Sequence, residues 1–158
     1  MKLIISLLTA FLVFFQSDLE TLRNSYSKAN LSTTNLEAFV NTAEKQTGSD
    51  AVTKGYKAAA QIMEAKIAKK NRKSLVKSGA TNLESIIKAN PNNVELRLIR
   101  LSVQENIPKI VGYRGSLKDD KAFILNNYGK QNIALKNYIK NFASQSKTIS
   151  AEERATLK

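Results

Sequence analysis

The sequence contains no cysteine and no histidine. Their absence excludes disulfide bonds, the usual Ser-His-Asp and Cys-His nucleophile systems, the common zinc sites and haem held by histidine. No glycine-rich phosphate loop occurs. Carboxylates, lysine or tyrosine could still catalyse a reaction, but no pattern supports one. We therefore expect a non-catalytic protein that uses no cofactor and is stabilised by packing alone.

Proline is also scarce, with two residues in 158, and no segment shows the apolar alternation that is typical of a strand. Apolar residues recur instead at helical spacing, which predicts an all-α protein of about seven helices. The first should end near Asn30, and the second should stop at Gly48 in a left-handed conformation. The following helices are predicted at about 51–70, 73–89 and 94–106, then from Ser116, from Ile133 and, as a short helix, from Ser150.

The first residues combine Lys2 with an apolar run from Leu3 to Phe15. This pattern is typical of a secretory signal peptide, because a membrane span takes about 20 residues. An uncleaved anchor or a buried strand are the alternatives. We predict a signal peptide at 1–17 and a single helical domain at 18–158. An exported protein without disulfides fits the periplasm or surroundings of a Gram-negative bacterium, with no membrane span after cleavage.

We expect the chain to be organised around the segment from Leu83 to Tyr113. Pro91 cannot continue a helix, so a new helix is expected from about Val94 to about Asn106. This helix has two apolar stripes on roughly opposite sides, where an ordinary surface helix has one. We therefore predict an interior helix packed on both sides: Val94, Leu98 and Leu101 form one stripe, and Leu96, Ile99, Val103 and Ile107 form the other.

The run LESIIKANPNNVELRLIRLSVQ at 83–104 resembles the junction between two tetratricopeptide repeats, with Ala89 and Pro91 near the small and proline positions. The aromatic and glycine positions of a full repeat are missing. The continuation to IRLSVQENIPKIVGY is also similar to uncharacterised exported bacterial proteins. The resemblance implies antiparallel helical hairpins stacked as a tetratricopeptide-like right-handed array, a scaffold that hosts many roles.

Two sets of residues are candidates for a binding site. The first is a polar seam on the interior helix with two residues downstream, which could form a groove that clamps an anion or a peptide carboxylate. The alternative is that its arginines pair with Glu95, Glu105 or Asp119 and hold the stack together. The seam comprises Arg97, Arg100, Gln104, Tyr113 and Arg114.

The second set is a basic stretch in a chain with a formal net charge of +12. It could bind an anionic polymer such as an envelope polysaccharide, lipopolysaccharide or nucleic acid, although aromatic residues that would stack on nucleic-acid bases are missing. The alternative is a solvated face at a helix end. We predict a binding or scaffold protein whose partner is an envelope protein or peptide, or else such a polymer. The basic candidates are Lys66, Lys69, Lys70, Arg72 and Lys73.

The acidic residues offer no comparable site. Asp119 and Asp120 are adjacent, and on a helix their side chains point about 100° apart. Two acids near a helix start interact favourably with the helix dipole. We therefore predict that this pair stabilises the start of the sixth helix.

Overall fold

The structure, a computed structural model, describes residues 18–157. The predicted signal peptide at 1–17 lies outside this range. Within it, regular structure is entirely helical, which confirms the predicted all-α class. The helices are 18–28 (α1), Thr33–Lys45 (α2), Ala51–Glu64 (α3), Arg72–Ala89 (α4), Val94–Asn106 (α5), Leu117–Asn127 (α6), Ile133–Gln145 (α7) and Ala151–Ala155 (α8), with 3-10 turns at Lys109–Val111 and Tyr128–Lys130.

Side-chain caps set several of the helix starts. Asp50 accepts hydrogen bonds from two backbone N–H groups of the first turn of α3, each at 3.0 Å. The Asn93 side chain accepts from the Leu96 N–H at 3.1 Å and so begins α5. Such caps satisfy backbone donors that have no partner inside the helix. The helix predicted at 94–106 is therefore found at those bounds.

Two helix ends differ from the predictions. α2 ends at Lys45 with Gln46 in an extended conformation. Gly48 is not left-handed, since Gly112 is the glycine with positive φ among residues 18–157. α3 ends at Glu64, because turns begin at Ala65 and carry the chain towards Asn71. Asn71 has a φ of 62°, and this left-handed residue precedes α4.

The helix α5 lies between two separate hydrophobic cores. Leu96, Ile99 and Val103 belong to a core formed with α1–α4. Leu98 and Leu101 belong to a second core, formed with α6, α7 and the residues Ile149 and Leu157 that flank α8. All of these side chains are buried. The prediction of an interior helix packed on both sides is therefore confirmed.

The helices α3 and α4 approach closely because Gly79 has no side chain. A Cβ atom at this position would lie 2.8 Å from the Ala58 carbonyl oxygen and 2.7 Å from Ile62 Cγ1. Ala58 and Ala59, both buried, present small side chains on the facing helix. Small residues on both helices thus allow the tight contact. The tetratricopeptide-like stacking of these hairpins remains a prediction.

Candidate functional site

The polar seam of α5 is paired with a carboxylate from α6. Arg100 donates through Nε and Nη2 to the two carboxylate oxygens of Asp120, each at 2.7 Å. Arg97 donates to Asp120 Oδ1 at 3.2 Å. Asp120 is 0 % exposed and Arg100 is 5 % exposed. The two arginines therefore share one buried carboxylate between α5 and α6.

A second carboxylate connects the seam to α4 and to the segment that follows α5. Arg100 Nη1 forms an ion pair with Glu84, and the Tyr113 hydroxyl donates to Glu84 Oε1 at 2.6 Å. Burial, followed by the hydrogen bond to Glu84, raises the pKa of Tyr113 above its ordinary value. Tyr113 is thus held as a neutral hydrogen-bond donor.

The remaining seam residues also bind inside the fold. Gln104 accepts from the Ser116 N–H at 3.0 Å, and Arg114 donates to the Ile107 carbonyl at 2.9 Å. Each predicted seam residue therefore has at least one internal hydrogen-bond partner, and Arg97 Nε is the buried side-chain atom of residues 18–157 that has none. This arrangement favours the alternative in which the seam holds the layers together.

The seam's acidic partners differ from those we predicted. Glu95 pairs with Arg23 of α1 at 2.6 Å and accepts from the Tyr56 hydroxyl at 2.9 Å. Glu105 accepts from the Thr148 N–H at 2.9 Å, and Asp119 is exposed. The seam arginines use Asp120 and Glu84 instead. The favourable position of Asp120 near the start of α6 is only part of its role, because its carboxylate is buried against two arginines.

A groove of about 710 Å³ opens between α3, α4 and the end of α5. Sites for small ligands typically measure about 300–1,000 Å³ and are lined mostly by apolar side chains. We call this cavity the α3–α4 groove. Its apolar lining comprises Ile62, Met63, Ala65, Val76, Ala80, Val103, Ile107, Pro108, Ile110, Val111 and the ring of Tyr113.

Basic side chains line the same groove. Lys73 and Lys77 lie one helical turn apart on α4, beside Val76 and Ala80 at the same spacing. Residues at this spacing share one helix face, so α4 presents an apolar row and a basic row to the groove. Lys66, in the turn after α3, and Arg72, the first residue of α4, also line the groove. We call these four residues the basic set: Lys66, Arg72, Lys73 and Lys77.

This basic set carries uncompensated positive charge. Within residues 18–157 none of its members forms an ion pair, and the described residues that line the groove include no aspartate or glutamate. The first turn of α4 likewise has no acidic residue and no side-chain cap. The positive end of the helix dipole therefore adds to the potential of the basic set.

The neighbours of the Lys66 ammonium group are the neutral side chain of Asn30 and the positively charged Lys147. The Nζ of Lys66 donates to Asn30 Oδ1 at 2.7 Å. Partial burial, which disfavours the charged form, and then the nearby charge of Lys147 lower the pKa of Lys66. An anion beside this ammonium group would offset both effects.

Only part of the predicted basic cluster lines the groove. Lys66, Arg72 and Lys73 line it, while Lys69 and Lys70 lie on the exposed turn before α4 and do not. Lys77 belongs to the lining although it was not among the candidates. Its spacing of four residues from Lys73 was the signal that placed it on the same face.

The segment after α5 forms the opposite, apolar wall. Apolar residues in an irregular stretch usually fold against a core, yet Ile110 is 96 % exposed and Val111 is 40 % exposed. Only Ile107 and Tyr113 of this segment pack on the first core. Gly112, with a φ of 76°, ends the 3-10 turn after the exposed pair in a left-handed conformation that favours glycine. The exposed part of this wall, Ile110 and Val111, therefore adds little to the packed core.

The described part of the chain has no group of three or more acidic, histidine or cysteine residues arranged to hold a metal ion. None of the helices described is both long and apolar enough to cross a membrane. The sequence matches no protein-family model, no curated protein and no solved structure.

Proposed function

We propose that this is an exported, non-catalytic binding protein of the bacterial envelope, and that its binding site is the α3–α4 groove. The observation that carries the proposal is the combination of a large apolar cavity with a basic set that has no carboxylate partner. Such a surface is complementary to a ligand that combines an apolar part with an anionic group. The polar seam then serves as the internal support of the groove, through Tyr113 and Glu84.

A fluorescent probe with both properties, anilinonaphthalene sulfonate, tests this proposal on the folded full-length protein. Exchanging Lys73 and Lys77 together for glutamine should lower the probe affinity roughly three- to tenfold, because exposed ion pairs contribute up to about 1 kcal/mol each. Exchanging Lys69 and Lys70 together removes the same charge outside the groove and should leave the affinity nearly unchanged. Circular dichroism confirms that each variant is folded.

Two results would contradict the proposal. One is that the folded protein does not enhance the probe's fluorescence. The other is that both pairs of exchanges weaken probe binding equally, because the groove would then not be the site.

A second candidate function is the binding of an anionic polymer by the exposed basic turn. It is favoured by Lys69 and Lys70, which have no carboxylate partner within residues 18–157 and lie outside the groove. Heparin retention that falls steeply with salt, and that the exchange of Lys69 and Lys70 reduces more than the exchange of Lys73 and Lys77, would support it, because counterion release governs such binding. Retention that is insensitive to the exchange of Lys69 and Lys70 would exclude it.

A further inference from the structure

Resting on the proposed function, we infer that the groove binds a single-chain amphiphile with a phosphate monoester head group. The chain would lie along the apolar lining of α4 and the 107–111 wall, and the phosphate would lie at the basic set. This names one class of ligand among those that combine an apolar part with an anion.

The dimensions of the lining suit one extended hydrocarbon chain. The part of α4 that lines the groove, from Arg72 to Thr81, is about 14 Å long at the helical rise of about 1.5 Å per residue. An extended chain advances roughly 1.2 Å per bond, by analogy with the extended peptide backbone. About a dozen methylene groups therefore match the length of this part of α4, along which Val76 and Ala80 supply the apolar contacts.

The charge of the lining suits a phosphate better than a carboxylate. A phosphate monoester carries about −1.5 to −2 at neutral pH, whereas a carboxylate carries a single negative charge. The Nε group of Arg72 already donates to the Ala68 carbonyl at 2.6 Å, which leaves the terminal nitrogens of its guanidinium for a ligand. Lys73 and Lys77 add two ammonium groups on the same helix face. One carboxylate would leave most of this charge uncompensated.

An extended peptide fits the groove less well than a hydrocarbon chain. An extended peptide needs partners for its backbone N–H and C=O groups. Two polar side chains of the lining are already engaged: Asn106 donates to the Ser102 carbonyl and accepts from Lys147, each at 2.9 Å, and Asn30 accepts from Lys66 at 2.7 Å. A hydrocarbon chain has no such requirement.

The exposed wall gives the inference its sharpest test. Ile110 contributes almost nothing to the packed core, because it is 96 % exposed, yet it lines the groove. A buried chain would cover this side chain and remove its apolar surface from water. Ile110 should therefore matter for ligand binding and not for folding.

The first experiment measures the affinity of octyl, decyl and dodecyl phosphate by isothermal titration calorimetry with the full-length protein, below the concentrations at which they form micelles. Each shortening by two methylene groups should weaken binding on the order of tenfold. Dodecanoate should bind several-fold more weakly than dodecyl phosphate. Affinities independent of chain length, or equal affinities for the two head groups, would overturn the inference.

The second experiment compares Ile110→Ser with Ile133→Ser. Ile133 is 72 % exposed but lies at the start of α7, away from the groove. The change at Ile110 should weaken dodecyl phosphate binding threefold or more and leave the denaturant midpoint unchanged. The change at Ile133 should alter neither. An unchanged affinity in the Ile110 variant would contradict the inference.

The failure of this inference and that of the proposed function give different results. If the fluorescent probe binds with the predicted dependence on Lys73 and Lys77 but dodecyl phosphate does not displace it, the groove is a binding site for another class of ligand. The inference then fails alone. If an acidic amphipathic helical peptide displaces the probe and dodecyl phosphate does not, the ligand is a peptide, and the inference fails in the same way. If the probe itself does not bind, both fail.

Discussion

Arg100 of α5 and Asp120 of α6 form a two-point ion pair, with Nε and Nη2 each 2.7 Å from a carboxylate oxygen. Asp120 is 0 % exposed and also accepts from Arg97. This carboxylate compensates two cations at the contact between the layers. Breaking a buried pair by removing one partner is more costly than losing an exposed one, because a charge is left without compensation.

Asp120→Asn should therefore lower the free energy of unfolding by about 3 kcal/mol or more. The adjacent change Asp119→Asn provides a matched control, since Asp119 is exposed in the same helical turn, and should alter stability by less than about 1 kcal/mol. Urea denaturation measures both. Equal stabilities of the two variants would show that the ion pair does not hold α6 on α5.

The position of α5 between two cores predicts that neither apolar stripe tolerates truncation. Leu98 and Ile99 are neighbours in sequence, belong to different cores and are at most 2 % exposed. Leu98→Ala and Ile99→Ala should each cost about 2–5 kcal/mol. Ile133→Ala, on the exposed side of α7, should cost less than about 0.5 kcal/mol. If thermal or urea denaturation showed that either of these two variants keeps its full stability, α5 would not lie between two cores.

Gly79→Ala should destabilise the protein although alanine is the better helix former by about 1 kcal/mol. The added methyl group would lie 2.8 Å from the Ala58 carbonyl oxygen, and such overpacking costs about 1–3 kcal/mol. Gly129→Ala is the control, because its Cβ would meet nothing within 4 Å. A more stable Gly79 variant in urea denaturation would mean that α3 and α4 do not approach as closely as described.

Two buried tyrosines, Tyr26 and Tyr56, and two half-buried ones, Tyr113 and Tyr138, predict a loss of stability at alkaline pH. Burial raises the pKa of Tyr26, Tyr56, Tyr113 and Tyr138 above the ordinary value of about 10. Below that pH the hydroxyls are protonated in both states. Above it only the unfolded chain releases these protons, so the free energy of unfolding falls, by up to about 1.4 kcal/mol per pH unit for each fully buried tyrosine.

Absorbance of the tyrosinate ion, followed against pH in the native and urea-unfolded protein, measures this effect. The four phenols named should ionise together with alkaline unfolding and not before it. Lys66 acts in the opposite sense, because its pKa is lowered. One exposed lysine is a small correction to the contribution of the buried tyrosines. Ionisation of these tyrosines in a protein that is still folded would contradict the burial described here.

The sequence predicted those parts of the fold that depend on local periodicity. The bounds of α5 follow from Pro91 and from the apolar spacing, and its two stripes predict the two cores. The partner of Arg100 could not be predicted in this way. Whether Asp119 or Asp120 meets the arginine depends on the rotation of α6 against α5, which a sequence pattern does not fix.

The groove was predictable only in part for the same reason. The basic residues are nearly consecutive, so Lys66, Arg72 and Lys73 could be recognised as a cluster. The cavity beside them depends on how α3, α4 and the 107–111 wall are arranged in space. Ile110 is apolar like the residues of the core, and only the tertiary structure places it exposed at the edge of the groove.

The most direct test of the account is an amide chemical-shift map of the full-length protein on addition of dodecyl phosphate. If the α3–α4 groove binds this amphiphile, the amide shifts at 62–66, 72–81 and 107–113 should saturate together, with α6–α8 unaffected. Shifts confined to the exposed turn at Lys69 and Lys70, or to α6–α8, would contradict the α3–α4 groove as the binding site.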